Sequence, residues 1–153
     1  MSDLKSLYQE VILDHSKNPR NFGEISPCTH TGHGHNPLCG DTVTIFCNLD
    51  NNGTILEISF EGKGCAISMA SASLLTDILK GKTVEQAKSL FSEFHQLVTS
   101  EQDNNDPSEE AERLQILAGV RQFPMRVKCA TLPWHALMAA LEGREPASTE
   151  FSS

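Results

Sequence analysis

Five cysteines are the residues of this chain best suited to chemistry: Cys28, Cys39, Cys47, Cys65 and Cys129. Their number is odd, and the first residues, MSDLKSLYQE, lack the long apolar segment of a signal peptide. We therefore expect a reducing, cytoplasmic compartment and no disulfide framework. Thiols under these conditions bind metals or act as nucleophiles, so the cysteines predict metal or thiol chemistry.

Three of these cysteines lie at predicted element boundaries, where a side chain can point into a shared cleft. Cys39 precedes the first clear strand, Cys65 precedes a helix of small residues, and Cys129 precedes the last helix. The first-turn N–H groups of the two helices would favour a thiolate over a thiol. Glycines beside Cys39 and Cys65 let the backbone turn sharply and let a ligand approach closely.

Asp41 is the candidate fourth group of this site. It lies two residues after Cys39 in an extended segment, so both side chains point to the same side. Three thiolates and one carboxylate suit tetrahedral zinc, although an aspartate here could also be an ordinary turn or strand-start residue. A carboxylate is a harder and more readily displaced ligand than a thiolate. The set would therefore allow a ligand exchange that frees one thiolate to attack.

The other cysteines and a group of histidines have simpler interpretations. Cys47 occupies an inward position of an alternating strand, which favours a core residue. Cys28 has no supporting neighbour. The histidines His30, His33 and His35 could bind a metal, but the pattern favours a flexible, solvated loop. A short irregular edge strand over CTHTGHGH is a weaker alternative.

Arg126 and Lys128 flank the last cysteine at alternate positions. They could hold the thiolates ionised or meet an anionic partner. The alternative is a solvated strand edge.

Hydrophobic periodicity predicts the elements that must position these groups. An N-terminal helix is followed by two alternating runs around Asn52 and Gly53, which predict a hairpin. Several helices follow, including one that starts near Asp106 and Pro107 and ends at Gly119. The predicted fold class is α+β, a small antiparallel sheet packed against several helices. We expect a single domain over residues 1–143 and a flexible tail over residues 144–153.

Composition excludes two classes of partner. The chain has 153 residues and a formal net charge of −8 at pH 7, which argues against a nucleic-acid partner because phosphate binding requires clustered Lys and Arg. Its apolar runs are far shorter than the roughly 18 residues of a membrane helix, so no membrane association is expected.

Four stretches of the chain resemble a known family: YQEVILDHSKNPRN, NPLCGD, FEGKGCAISMASASLLTDILKGK and GVRQFPMRVKCATLPWHAL. Together they resemble the NifU-like, IscU-type family of iron–sulfur assembly proteins, and most of all its SufU branch. Scaffold members carry a His immediately before the last cysteine, where this chain has Lys128. SufU-type members also carry an insertion before that cysteine, which TSEQDNNDPSEEAERLQILAG matches.

The resemblance implies a fold, a ligand set and an activity. It implies an α+β fold and the metal ligands Cys39, Asp41, Cys65 and Cys129. The implied cofactor is zinc, and the implied activity is that of a sulfurtransferase-type acceptor that activates a PLP-dependent cysteine desulfurase of the SufS type. Cys39 would leave zinc and take the persulfide sulfur, and Asp41 would be the labile ligand. Downstream iron–sulfur scaffold proteins form a further implied class of partner.

Two other functions stay open at this point. The first is a scaffold on which an iron–sulfur cluster is assembled by the same four ligands, an alternative that a His in place of Lys128 would favour. The second is a zinc-stabilised interaction domain without sulfur chemistry. The His-rich segment and Cys28 depart from the family pattern; Cys28 is a candidate resolving thiol, and the histidines are candidates for partner contacts or a second, weak metal site.

Overall fold

Three antiparallel strands and a short parallel fourth strand form a sheet in this protein. The computed structural model describes residues 2–37, 40–99, 108–142 and 147–148. Within these ranges the strands are β1 (His30–Asn36), β2 (Asp41–Leu49) and β3 (Ile55–Lys63), and a two-residue strand β4 (Ala147–Ser148) runs parallel to β1. The order across the sheet is β3-β2-β1-β4, which places β1 between β2 and β4.

Helices precede and follow the sheet. α1 (Ser2–Lys17) precedes it, and α2 (Ala66–Leu79), α3 (Val84–Thr99), α4 (Glu109–Arg113) and α5 (Pro124–Glu142) follow, with a 3₁₀ segment (Leu114–Gln122) before α5. α5 packs on β1 and β2, and α2 packs between α1 and α5. The predicted α+β class is therefore confirmed. Across the described ranges, none of the helices has both the length and the apolar character needed to cross a bilayer.

The predicted hairpin forms around Asn52 and Gly53. β2 and β3 pair antiparallel, and Gly53 has a φ of 82°, a conformation that glycine adopts without a steric penalty. Val43, Ile45 and Cys47 point into the core, where each is at most 1% exposed. Burial raises the pKa of Cys47 to about 12, so this thiol stays protonated at neutral pH and acts as a core residue.

The segment predicted as a solvated His-rich loop is strand β1. Gly32, Gly34 and Asn36 are buried along this strand, whereas His33 and His35 are exposed. The loop prediction was wrong because glycine has a low strand propensity, while tertiary packing selects it here. A Cβ added at Gly32 would overlap the backbone of α5, so the glycine allows the helix to lie directly on the strand.

Gly32→Ala is expected to destabilise the protein. The new Cβ would meet the carbonyl oxygen of Ala136 and the amide of Ala140, which are backbone atoms that cannot rotate away. We expect a loss of about 1–3 kcal/mol of unfolding free energy, the usual cost of overpacking. Urea unfolding measures it, and Gly119→Ala is the matched control because nothing lies within 4 Å of the Cβ position at Gly119. Equal stability of the two variants would contradict the close packing of β1 and α5.

Two predicted helix boundaries were wrong. The segment after α4 continues through Gly119 as the 3₁₀ segment, and α5 begins at Pro124, so Cys129 lies inside the last helix. Proline suits the first position of a helix because its missing N–H would have no intrahelical partner there. The predicted helix start at Asp106 and Pro107 lies outside the described residues.

Part of the predicted tail pairs with the sheet. Ala147 lies opposite Gly34, and Ser148 lies opposite His35. The other residues of the 144–153 segment lie outside the described part of the chain. The division into a 1–143 domain and a flexible tail stays a prediction.

A buried histidine joins α1 to α2. His15 is 7% exposed, and its Nδ1 lies 2.7 Å from Ser73 Oγ, which also accepts the Arg20 backbone N–H at 2.9 Å. Because that oxygen is already an acceptor, its own proton is available to the imidazole. Burial, and then the charge of Arg20, lower the pKa of His15 below its ordinary value of 6.5.

We expect this histidine to make stability depend on pH. Its charged form is disfavoured only in the folded state, so the unfolded state binds more protons between the two pKa values. Its contribution is complete above about pH 6.5, the ordinary pKa of histidine, and is lost as pH falls through the lowered folded value. Urea unfolding between neutral and mildly acidic pH should show a flatter pH slope for His15→Gln than for wild type. The control is His33→Gln, at an exposed position, and an identical slope in all three proteins would contradict the assignment.

Candidate metal centre

Three of the four predicted ligands meet in the structure. The ligand atoms of Asp41, Cys65 and Cys129 all lie within 4.8 Å of one another. They come from three different elements: the first residue of β2, the residue that caps α2, and the second turn of α5. The fourth predicted ligand, Cys39, lies with Leu38 outside the described residues. No other group of three metal-binding side chains occurs in the described part of the chain.

The carboxylate of Asp41 is buried and held from one side. Its Oδ1 accepts the backbone N–H of Cys65 at 2.9 Å, and its Oδ2 lies 3.7 Å from Cys65 Sγ, which donates to it. Gly64 makes this approach possible, because a Cβ at that position would overlap the Asp41 side chain. The glycine predicted to admit a ligand thus admits the carboxylate itself.

Cys65 is the most acidic thiol of the group. Its sulfur accepts the Ser68 backbone N–H at 3.5 Å and so caps α2. A hydrogen bond from the Cys129 thiol, supported by the Ser68 N–H, lowers the pKa of Cys65 to about 7 even though burial opposes it. A thiol at this position is therefore half ionised near neutral pH, which suits a metal ligand.

Cys129 holds its proton more tightly than Cys65. The same hydrogen bond to Cys65, together with burial and the Asp41 carboxylate, raises the pKa of Cys129. The prediction that a helix N-terminus activates both thiols was therefore right for Cys65 and wrong for Cys129, which lies inside α5. The second proton would leave only when a cation replaces it.

Asn36 is a neighbour of the site that the sequence did not reveal. It is fully buried, faces Asp41 across the β1–β2 pair, and its Nδ2 donates to Cys129 Sγ at 3.8 Å. A donor aimed at sulfur favours negative charge on that atom. The missing signal was the strand: once β1 is recognised, its alternation places Asn36 on the inner face with Gly32 and Gly34.

The donor set fits a tetrahedral thiophilic ion. Two sulfurs and one carboxylate suit zinc, which commonly takes three or four protein ligands. Ligand atoms around such an ion, with bonds of about 2.3 Å, lie roughly 4 Å apart. The observed limit of 4.8 Å therefore requires only a small inward movement.

The basic side chains beside the last cysteine are helical. Arg126 and Lys128 both lie in α5, so a strand edge is excluded. The guanidinium of Arg126 lies over the Phe123 ring, 5.2 Å from its centroid. Cys28 and His30 make their contacts elsewhere, with Thr31 and Thr29 respectively.

Known proteins with similar sequences and structures cover nearly the whole chain. The zinc-dependent sulfurtransferase SufU of Bacillus subtilis (strain 168) is 43% identical over 137 residues, which are 89% of this chain and 90% of that protein. The iron–sulfur cluster assembly scaffold protein IscU of Streptococcus pyogenes serotype M1 is 38% identical over 142 residues, 93% of this chain and 87% of that protein. The solved structure of FiSufU from Fervidobacterium islandicum AW-1 superposes with a TM-score of 0.78 at 32% identity, covering 89% of this chain and 97% of that one.

These similarities confirm the family predicted from the sequence motifs. Residues 7–130 match the family described as the NifU-like N terminal domain. The matched range includes all four predicted ligands, among them Cys39. The chain therefore belongs to the NifU-like N terminal domain family.

Proposed function

We propose that this protein accepts persulfide sulfur from a PLP-dependent cysteine desulfurase and passes it on for iron–sulfur cluster assembly. Asp41, Cys65, Cys129 and Cys39 are its proposed zinc ligands. The observation that carries the proposal is the convergence of Asp41, Cys65 and Cys129 within 4.8 Å. The 43% identity to a protein named as a zinc-dependent sulfurtransferase supports zinc and sulfur transfer over other uses of such a site.

Cys39 is the proposed sulfur acceptor. Its thiolate attacks the outer sulfur of the persulfide on the desulfurase cysteine. A sulfur–sulfur bond forms on Cys39, the bond within the enzyme's persulfide breaks, and the electron pair leaves with the enzyme's cysteine thiolate. The transferred sulfur keeps its oxidation state, so the step needs no external oxidant or reductant.

The neighbouring residues hold the other two thiols in place. Zinc bound here would keep the thiols deprotonated at neutral pH. Cys65 is fixed by its N–H bond to Asp41 and by the Ser68 N–H, and Cys129 is fixed by the amide of Asn36. Both sulfurs thus have the oriented surroundings that anchoring ligands need, whereas Asp41 is the more exchangeable oxygen ligand.

An apolar surface beside the centre supports a protein partner. Leu13 and Phe123 are 47% and 51% exposed, and they line an open cavity of about 370 Å³. Ile67 lies two residues after Cys65, in the first turn of α2, and lines the same cavity. Exposed apolar side chains next to a reactive site are typical of a protein-binding surface.

A cluster scaffold is the second candidate function. It is favoured by the 38% identity to a protein named as the scaffold IscU, because an iron–sulfur cluster can use the same type of ligands. Lys128 favours the acceptor function over the scaffold. Protein purified anaerobically with iron and sulfide separates the two: a colourless, zinc-loaded protein supports the acceptor, and a coloured, cluster-loaded protein supports the scaffold.

Asp41→Ala should slow sulfur transfer more than it reduces zinc retention. The carboxylate is the displaceable ligand, so its loss affects the exchange step, while two or more thiolates still hold the ion. We expect turnover to fall on the order of tenfold, as is common when groups around a metal are altered. A desulfurase turnover assay measures the rate of sulfur transfer, and metal analysis of the purified variant measures how much zinc it retains.

The matched variant for this test is Asp41→Asn. It keeps an oxygen that can accept the Cys65 N–H but removes the negative charge. Comparable slowing in both variants assigns the effect to the charged ligand. Turnover equal to wild type in Asp41→Ala would count against an exchangeable carboxylate.

The proposal as a whole is tested by metal analysis of the purified protein together with a desulfurase-stimulation assay. One zinc per chain and a clear gain in desulfurase turnover are expected. No gain in turnover, with zinc present, would leave a zinc-stabilised interaction domain and overturn the sulfur-acceptor function.

A further inference from the structure

We propose a second metal site, formed by His33 and His35 on the open face of the sheet, that binds a divalent transition metal of imidazole preference such as Ni²⁺, Cu²⁺ or Zn²⁺. The site is separate from the thiol centre and does not depend on the proposed sulfur chemistry.

The backbone of β1 presents the two rings side by side. His33 and His35 are separated by one buried residue, Gly34, so both side chains leave the same face of the strand. Their Cα atoms are about 6.5 Å apart along an extended strand, a span that two imidazoles can bridge to one ion. β1 lies between β2 and β4 in the sheet, so its backbone is held on both sides.

One of the two rings is already oriented for coordination. His33 Nδ1 lies 2.9 Å from Thr44 Oγ1 on β2, directly across the strand pair. When the hydroxyl accepts the Nδ1 proton, Nε2 of this exposed ring keeps its lone pair for a metal. A second hydrogen bond that fixes the tautomer is the usual companion of a histidine metal ligand.

One acidic and one basic residue lie on β3 in register with the two histidines. Thr44 pairs with Glu61 on β3, and Thr42, which faces His35, pairs with Lys63. Glu61 is therefore two strands away from His33 in the same register, and Lys63 is two strands away from His35 in the same register. Glu61 does not form a group of three potential ligands with the two histidines, so in the proposed site the protein supplies two nitrogen ligands and water would supply the rest.

The nature of the ligands selects the metal class. Neutral imidazole binds zinc, nickel and copper well, whereas calcium and magnesium require oxygen ligands. The thiol centre differs in this respect, since its sulfurs favour softer ions. The opposite faces of β1 separate the two sites, because Asn36 reaches Cys129 from the buried face and His35 points out from the exposed one.

Calorimetric titration of Ni²⁺ into the full-length protein loaded with one equivalent of zinc, enough for the thiol centre alone, tests the proposal. We expect one Ni²⁺ per chain, and at least about a tenfold weakening in either His33→Gln or His35→Gln. His30→Gln is the matched control, because the side chain of His30 leaves the other face of the strand from those of His33 and His35. Its Nδ1 contacts Thr29 Oγ1 at 2.8 Å. That variant should bind Ni²⁺ as wild type does.

Three outcomes would overturn the site. Absence of Ni²⁺ binding to wild type excludes it directly. Equal Ni²⁺ affinity in wild type, His33→Gln and His35→Gln places the ion elsewhere. Loss of the Ni²⁺ signal in Cys65→Ser, with the histidines intact, assigns the signal to the thiol centre. Desulfurase stimulation is expected to be unchanged in both histidine variants, so failure of this site and failure of the proposed function are distinguishable.

Discussion

Cys39→Ser should reduce sulfur transfer from the desulfurase to background. A serine hydroxyl is not ionised at neutral pH and cannot form a persulfide, so the proposed step loses its nucleophile. Removing a covalent nucleophile costs far more than about a hundredfold in well-studied enzymes, and we expect a loss of at least that order. Mass spectrometry of the protein after a single turnover, which detects the gain of one sulfur atom, measures it directly.

A matched cysteine variant makes this test specific. Cys28 is a half-buried free thiol whose sulfur contacts Thr31 Oγ1 at 3.0 Å, outside the metal centre. Cys28→Ser should accept sulfur at the wild-type rate, and both variants should keep the wild-type circular dichroism spectrum. Wild-type sulfur acceptance by Cys39→Ser would refute the nucleophile assignment, and loss of acceptance in Cys28→Ser alone would move that role to Cys28.

Removal of zinc should lower the melting temperature substantially. A metal that binds only the folded state stabilises it by roughly 2.7 kcal/mol at a free concentration a hundred times its Kd, and by more above that. For a chain of this size, about 2–4 °C of melting temperature corresponds to each kcal/mol. We therefore expect a drop of at least about 5 °C when a chelator is added, measured by scanning calorimetry.

The same scan on a ligand variant provides the control. Cys65→Ser removes the thiol that is most readily ionised, so this protein should melt near the chelator-treated wild type and respond little to chelator. A wild-type melting temperature that is indifferent to chelator would contradict metal-coupled stability. A drop of equal size in both proteins would show that the chelator acts elsewhere.

The elements with a strong periodic pattern could be predicted from sequence. Strict alternation in β2 and β3, with Gly53 between them, predicted the hairpin. Thr83 and Gln86 have the spacing of a capping box, and at the start of α3 each residue's backbone N–H bonds the other's side chain, at 2.9 and 3.1 Å. These features depend on residues that are close together in the sequence, so they can be inferred from the sequence alone.

Strand β1 depends on a partner that is distant in the chain, so the sequence indicated a strand there only weakly. Thr31 is the one good strand former in the segment from His30 to Asn36. The property that matters more is the absence of a side chain at Gly32 and Gly34. That absence has meaning only once the backbone of α5 lies against the strand. The role of Asn36 was not predicted for the same reason, because the orientation of a side chain can be inferred from alternation in a strand but not in a loop.

The candidate metal centre was proposed from residue types, and the geometry of its described residues required the fold. The cysteines and Asp41 were selected for their chemistry and for their places near element boundaries. The different pKa values of Cys65 and Cys129 could not be predicted, because their largest cause is the hydrogen bond between the two thiols, which are distant in the chain. The position of Cys129 was misjudged because its helix begins earlier, at Pro124.

The positions of Asp41, Cys65 and Cys129 in the sequence determine the order in which these three residues are synthesised. Asp41 leaves the ribosome well before Cys129, which lies on a helix that must then dock on β1 and β2. A nascent chain that has exposed Asp41 and Cys65 but not α5 cannot offer the complete set to an ion. Binding of an ion by all three ligands of the proposed centre would therefore follow the docking of α5, and metal uptake would report that this step is complete.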